Sequence, residues 1–436
     1  MQTEQLVDLG ELQRMRDDYA CPCDESTMFD RLLLPRRASG MWVWVENDEE
    51  PYLDLVMGYS SLNFGHCHPE IVGFVNEAAE RLSQIHSFHT IPKLQLSKYL
   101  VDAVDPDGGY KVYFDIGGTS VVAAAMRLCR SYTNRKTVIS FEGAFHGAGY
   151  QPSTVSDHRL LNEEQYGLSQ NSAYVEKLPF PSRHSGVSLD RHMQMLEELV
   201  AREKPAAVLV EPIQGAAGFI MPHDDFLPRL REFTASEQIM LIADEIQMGM
   251  GRTGYLYSFQ HWGITPDIVL ISKSLSGGYF PLSAIIARSE LFENVSPVAT
   301  AFQSTFNNNP FGIQIALNIM DMIDRENLYE NARTQGSKLQ KQLRFIEDSP
   351  FTANLRGHGL AIAFDFVDSK SSGRPAPELA RRFANIALDE HVFVYACGVD
   401  RSTIKFAPMI TIDDDDISII VKRLRACFAA FNGEQA

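Results

Sequence analysis

Two residues stand where a chain of alternating strands and helices would deliver working side chains. Residues 241–243 form an apolar run that leads directly into Asp244-Glu245-Ile246-Gln247. Residues 268–272 form a second run that leads into Lys273, with Gly277-Gly278 behind it. A strand ending in a carboxylate or an amine carries that group to the carboxyl edge of a parallel sheet, where open α/β folds bind ligands. Taken singly, each residue also has an ordinary explanation. Asp244 could cap a following helix, and Lys273 could be a solvated loop residue rather than a nucleophile.

Together they supply what pyridoxal 5'-phosphate needs: an amine to form an imine, and an anion to keep the ring nitrogen protonated so that the ring acts as an electron sink. Other segments offer the remaining parts. Gly117-Gly118-Thr119-Ser120 lies between a strand-like run at 111–114 and a helical run at 121–130, so its N–H groups could cradle a phosphate at a helix start. Phe145-His146-Gly147 follows the next run, and a flat aromatic there could stack on the ring or simply fill the core. Glu211-Pro212-Ile213-Gln214-Gly215 closes another run. The segment Ser304 to Pro310 offers hydroxyls for a phosphate, or a cap for the helix that begins there.

Positioning these groups requires a particular set of elements. Short apolar runs at 111–114, 137–141, 206–211, 239–244 and 268–272 are separated by longer helical stretches, which predicts a mostly parallel sheet covered on both faces. Residues 41–45 and 52–55 alternate like a hairpin near the start, an expected edge element. Helical stretches at 310–346 and 377–390 flank a strand at 361–367 and precede a last helix near 417–431, a second, smaller α+β unit. The run Asp413 to Asp416 lacks the spacing and central glycine of a calcium loop and suits the acidic first turn of that helix.

Composition narrows the classes. The chain has 436 residues, 45% hydrophobic and 22% charged, with no apolar run near the roughly 20 residues of a membrane span. Its 39 basic and 56 acidic residues leave a net charge of −17, a field that repels nucleic acid and anionic membranes. Six scattered cysteines make no disulfide framework, and neither Cys21-Pro22-Cys23 nor His66-Cys67-His68 has the paired spacing of a zinc site, so no metal is expected. Residues 1–20 are acidic and polar without the basic and apolar regions of a secretory signal, so the cytoplasm is the expected location.

In order, these segments resemble the class III, or ornithine-type, aminotransferases of fold type I, from about Trp42 to the last helix. The most specific stretches are residues 59–69, Asp244-Glu245-Ile246-Gln247 with Gly251-Arg252-Thr253-Gly254, and Ser272-Lys273. The resemblance implies an α/β fold with a large, mostly parallel seven-stranded-type sheet domain at 65–309. Residues 1–64 and 310–436, the two chain ends, would build the smaller α+β domain. It also implies a Schiff base on Lys273, which shuttles the Cα proton, and pairing of Asp244 with the pyridine nitrogen. Gln247 would lie near the 3-hydroxyl, Gly118 and Thr119 would bind the phosphate, and Phe145, His146 and Glu211 would surround the ring. Thr305 would reach the phosphate of a partner subunit, which requires a homodimer with shared active sites. Tyr59, Phe88, His89 and Lys405 fall at substrate-pocket positions, although Phe88 and His89 equally suit packing at a subunit contact.

The chain departs from the family in three places. The usual Ser-Gly-Thr-Glu-Ala reads Gly117-Gly118-Thr119-Ser120-Val121. Ala216 stands where many members that use 2-oxoglutarate carry a second glutamate, and Lys405 stands where that glutamate's arginine partner would be. Lysine does not replace an arginine fork. The expected activity is therefore transfer of an amino group from an amine or ω-amino acid to a 2-oxo acid, aldehyde or ketone. Racemisation, decarboxylation, elimination or cyclisation with the same cofactor is the alternative, and a non-catalytic scaffold is the third reading.

Overall fold

The computed structural model describes residues 8–20, 33–46, 48–85, 88–157, 174–182, 186–295 and 304–433. Its centre is a seven-stranded sheet in the order Tyr110–Ile116, Leu282–Arg288, Ile268–Ile271, Met240–Asp244, Ala207–Val210, Val138–Phe141, Val175–Leu178. Six strands run one way, and Leu282–Arg288 runs against both neighbours. The interior strands are apolar throughout because both faces are covered. Val208, Val210, Leu241, Ala243, Val269 and Ile271 face one core, while Leu209, Met240, Ile242, Ile268 and Leu270 face another built on the helix Gly118–Thr133. That alternation is the two-residue period of a strand.

Two strands of this sheet carry no clear sequence signature. Val175–Leu178 is an edge strand of half-buried residues that includes Glu176 and Lys177. Leu282–Arg288 follows the lysine turn too closely for a helical crossover and returns antiparallel instead.

Near the start, Trp42–Val45 pairs antiparallel with Tyr52–Asp54, as expected of the hairpin. It is not an edge, however: Pro35–Ser39 covers its outer side, and Val392–Phe393 joins Tyr52–Asp54 in parallel, so the two chain ends share one sheet. A third sheet has the order Thr352–His358, Ala361–Phe366, Thr403–Phe406, Ala396–Cys397. The stretch 310–346 is two helices, Pro310–Arg325 and Leu328–Gln342, followed by a 3-10 turn; Asn327 adopts a left-handed conformation (φ 53°) that ends the first. The last helix, Asp414–Gly433, opens on Asp414, Asp415 and Asp416, where carboxylates complement the helix dipole.

A buried cation, Arg252, helps join these layers. The Arg252 guanidinium donates to the carbonyls of Leu360 (3.1 Å) and Pro408 and to Asn63 Oδ1 (2.6 Å), while Asn63 Nδ2 donates to the Met250 carbonyl. The Gly251-Arg252-Thr253-Gly254 motif is thus a clasp between the large sheet and segments near both ends of the chain. No helix of the described residues is long and apolar enough to cross a membrane.

Candidate active site

The two strand ends singled out by the sequence are neighbours. Met240–Asp244 and Ile268–Ile271 pair in parallel with Asp244 opposite Leu270, which sets Asp244 and Lys273 on the same edge. Asp244 is buried, and Oδ2 accepts a 2.7 Å hydrogen bond from His146 Nδ1 while Oδ1 accepts from the Ile246 N–H. His146 is equally buried, and its Nε2 has no partner among the described residues. The adjacent Glu245 points elsewhere: it takes three hydrogen bonds from Ser258 and Phe259 and anchors the 3-10 turn Ser258–Trp262.

Lys273 begins a 3-10 turn with φ 46°, a left-handed conformation that a lysine adopts only when its surroundings impose it. The turn is held from below, where Ser272 Oγ donates to the Leu282 carbonyl. The lysine is partly accessible, yet desolvation, aided by the nearby Lys405 cation, lowers its amine from the ordinary 10.5 to about 8. An amine with a lowered pKa is a better nucleophile near neutrality.

Glu211 links the two halves of the site. One carboxylate oxygen accepts from the Phe145 N–H (2.9 Å) and the other from the Gly215 N–H (2.8 Å), and burial raises its pKa. Gly215 in turn accepts from Lys405 Nζ at 3.1 Å. Gln247 packs so closely over Gly215 that a Cβ there would lie 2.2 Å from Gln247 Oε1, so a larger residue would displace the Gln247 side chain. Lys405 comes from the strand Thr403–Phe406 of the third sheet. It is buried, lies 5.1 Å from the Phe219 ring and 5.5 Å from the Tyr395 ring, and its pKa is lowered by burial.

Tyr59 sits edge-on to Tyr395 at 5.4 Å, in a turn where Met57, Gly58, Tyr59 and Ser60 all have left-handed φ (49–67°). Asp54 supports that turn by accepting from the Val56 and Met57 N–H groups and from His66 Nε2 (2.8 Å). His66 is therefore engaged with a carboxylate. Among the described residues no three His, Cys, Asp or Glu side chains converge as metal ligands, and Cys21 and Cys23 lie outside those residues.

The remaining residues test whether pyridoxal 5'-phosphate fits. No side chain caps the helix Gly118–Thr133, so its first N–H groups point at the sheet edge unclaimed by a cap. Ser120 Oγ is turned back onto the Ile116 and Gly117 carbonyls. The loop with Phe145 and His146 presses on this helix start: Gly147 has φ 116°, and a Cβ on it would approach Thr119 Oγ1 to 2.6 Å. An amine, a buried carboxylate and an anion cradle on one sheet edge form the donor set the cofactor requires. Thr305, Phe88 and His89 lie apart on the surface; Thr305 O accepts from Gln84 Nε2, and Phe88 is 69% exposed.

Sequence reasoning passed over Tyr395, Phe219 and Cys397. Each stands within an apolar stretch where core packing is the default meaning, so no local signal marks them.

Comparison with known proteins identifies the family and the fold. The model of the aminotransferase class-III family matches residues 25–428. The chain is 30% identical over 401 residues to the 4-aminobutyrate aminotransferase GabT of Escherichia coli, covering 90% of this chain and 92% of the relative. It is 28% identical over 408 residues to the leucine/methionine racemase of Thermococcus litoralis, covering 90% of each. The crystal structure of an amine transaminase from an uncultivated Pseudomonas species, in its PLP-bound form, superposes with a TM-score of 0.85 at 27% identity, covering 95% of this chain and 98% of that one. This chain belongs to the class-III aminotransferases, enzymes of fold type I that work with pyridoxal 5'-phosphate.

Proposed function

We propose that the protein transfers an amino group from an amine or ω-amino acid donor to a 2-oxo acid, aldehyde or ketone acceptor, with Lys273 as the amine that holds the cofactor and moves the substrate proton. The observation that carries this reading is Lys273 itself, an amine lowered to about 8 in a left-handed turn beside a buried Asp244. Bound there, the cofactor supplies an electron sink for charge developing at the substrate carbon. Asp244, oriented by His146, holds a proton at the ring nitrogen. Gly118 and Thr119 bind the phosphate, Phe145 stacks on the ring, Glu211 braces the loop that presents it, and Gln247 lies near the 3-hydroxyl. Tyr59 and Lys405 face the substrate.

We read the chain as a large domain at 65–309 and a small one formed by 1–64 and 310–436, a division supported by the pairing of Val392–Phe393 with Tyr52–Asp54. A homodimer with shared sites is supported by exposed apolar groups, Phe88 (69%), Ile91 (73%), Leu94 (56%) and Phe306 (51%), with Thr305 exposed beside the last. Phe88 and His89 would then complete the partner's pocket. Free thiols at Cys67, Cys129, Cys397 and Cys427 suit the reducing cytoplasm.

Incubation of the purified protein with a panel of amines, followed through the cofactor's absorbance, tests the reading. Absence of a half-reaction with every donor would overturn it. A second reading, racemisation or another reaction without net transfer, is favoured by the racemase among the relatives and by Ala216 and Lys405. Deuterium entering the substrate Cα without amino transfer would select it.

A further inference from the structure

The loop that carries Phe145 leans on the turn 214–220 at two points. Gln214 Nε2 donates to the Glu142 carbonyl (2.8 Å), and Glu211 ties the Gly215 N–H to the Phe145 N–H. The turn is closed by paired backbone bonds between Gln214 and Ile220 (3.0 Å each). Its tip is strained: Gly218 has φ 107°, and Phe219, which carries a Cβ, has φ 54°. Such a conformation persists only where the surroundings impose it.

Arg356 supplies that hold from the strand Thr352–His358 of the third sheet. Its Nε and Nη2 both donate to the Gly218 carbonyl (3.0 and 2.8 Å). Nη1 and Nη2 grip the two oxygens of Asp365 (2.9 Å each), and Nη1 also donates to the Asn354 carbonyl (2.9 Å). All five N–H groups of the fork are thereby used, and the side chain is only 8% exposed. Two features aim it. Asn354 and Leu355 together oppose Phe364, with Asn354 at φ 53°, a bulge that redirects the next side chain. Asp365 is itself fixed by Thr403 Oγ1 (2.7 Å) and Asn354 Nδ2 (3.0 Å). Three strands of the third sheet thus converge on one carbonyl beside the large sheet.

We propose that Arg356 is a positioning residue for the cofactor seat: by holding the Gly218 carbonyl it keeps the turn 214–220 in shape, and through Glu211 and Gln214 it sets the Phe145 loop against the ring. This rests on the reading above that Phe145 stacks on the cofactor. The seat is then complete only while the third sheet is docked on the large one. Fork geometry carries the effect, because one planar group must meet a carbonyl and a carboxylate at once.

Titration of pyridoxal 5'-phosphate into the cofactor-free full chain tests this apart from turnover. Arg356→Met is expected to weaken binding about tenfold, and Arg356→Lys, which keeps the charge but not the fork, should bind within about twofold of Arg356→Met. Thr403→Val leaves Arg356 in place and only loosens Asp365, so a loss of about threefold is expected. In a Phe145→Ala background Arg356→Met should cost less than about twofold more, because the arginine acts through that ring. Hydrogen exchange at the Gln214 and Ile220 amides should quicken about tenfold in Arg356→Met and stay near wild type in Phe145→Ala. Unchanged affinity in Arg356→Met and Thr403→Val, full recovery by Arg356→Lys, or losses that multiply in the double variant overturn the proposal. If Phe145→Ala alone binds the cofactor as tightly as wild type, the stacking reading falls, and the proposal with it.

Discussion

Two neighbouring lysines, Lys273 partly accessible and Lys405 buried, reach the site by different routes. Lys273 follows a wholly buried parallel strand, breaks into a left-handed turn and ends at the sheet's carboxyl edge. Lys405 stands inside a regular antiparallel strand, opposite Ala363, with unstrained backbone and aromatic rings around it. The first position spends backbone strain to aim a reactive amine. The second holds a charge in a fixed place. Strain thus separates a group that reacts from a group that binds.

The sharpest way to break that contrast is to remove the strained lysine. Lys273→Ala should lower turnover by at least about 10³-fold, because it deletes both the cofactor's amine and the proton carrier. Borohydride treatment should then leave no cofactor fixed to the peptide containing position 273. If attachment and turnover survive, the roles of the two lysines have been exchanged.

The contrast also depends on the clasp that sets one lysine against the other. Arg252→Met leaves the Leu360 and Pro408 carbonyls and Asn63 Oδ1 buried without their donor. A loss of about 3 kcal/mol is expected, read as a fall in Tm. The KM for the acceptor should rise more than the kcat falls, since Lys405 is on the far side of the clasp from Lys273.

Protonation distinguishes the lysines next. The Lys273 amine is lowered to about 8 against an ordinary 10.5, so between these values the unfolded chain binds more protons than the folded one. Stability of the cofactor-free protein should therefore rise as pH goes from about 8 to about 10.5, by up to about 3 kcal/mol for full burial and less for this partly accessible side chain. Denaturant titrations of wild type and Lys273→Met should differ in slope across that window. Parallel curves would mean that the amine is hydrated like a surface lysine.

Much of the Lys273 side was legible in the sequence, and the reason is local. Apolar runs ending in Asp244 and Lys273 carry their own geometry, since a buried parallel strand must exit at the sheet edge. Gly147 belongs to its motif for a local reason too: its positive φ and the close approach of Thr119 favour glycine. The Lys405 side was legible only through resemblance. Its neighbours Tyr395, Phe219 and Arg356 come from separate segments that meet through tertiary contact, and nothing in spacing encodes that meeting. Leu282–Arg288 escaped notice likewise, because an apolar run does not declare whether its partner is parallel or antiparallel. The supposed single helix at 310–346 was lost to one residue, Asn327, whose left-handed turn leaves the flanking periodicity intact.

The smallest expected effect refines the strained edge itself. Asp115 closes the strand Tyr110–Ile116, is 6% exposed and accepts from the Ile116 N–H at 2.9 Å. Burial raises its pKa, and Ser120 of the helix start lies within side-chain reach. The carboxylate missing from position 120 is thus present five residues earlier, beside the same helix. Two forces oppose each other there. A carboxylate near a helix N-terminus is favourable by about 0.3–1 kcal/mol, whereas the same charge repels a bound phosphate. Asp115→Asn should therefore lower Tm slightly and tighten cofactor binding by about threefold, measured by titrating pyridoxal 5'-phosphate into cofactor-free protein. Weaker binding in the variant would show that the carboxylate serves to shape the cradle, and that its hydrogen bonds outweigh its charge.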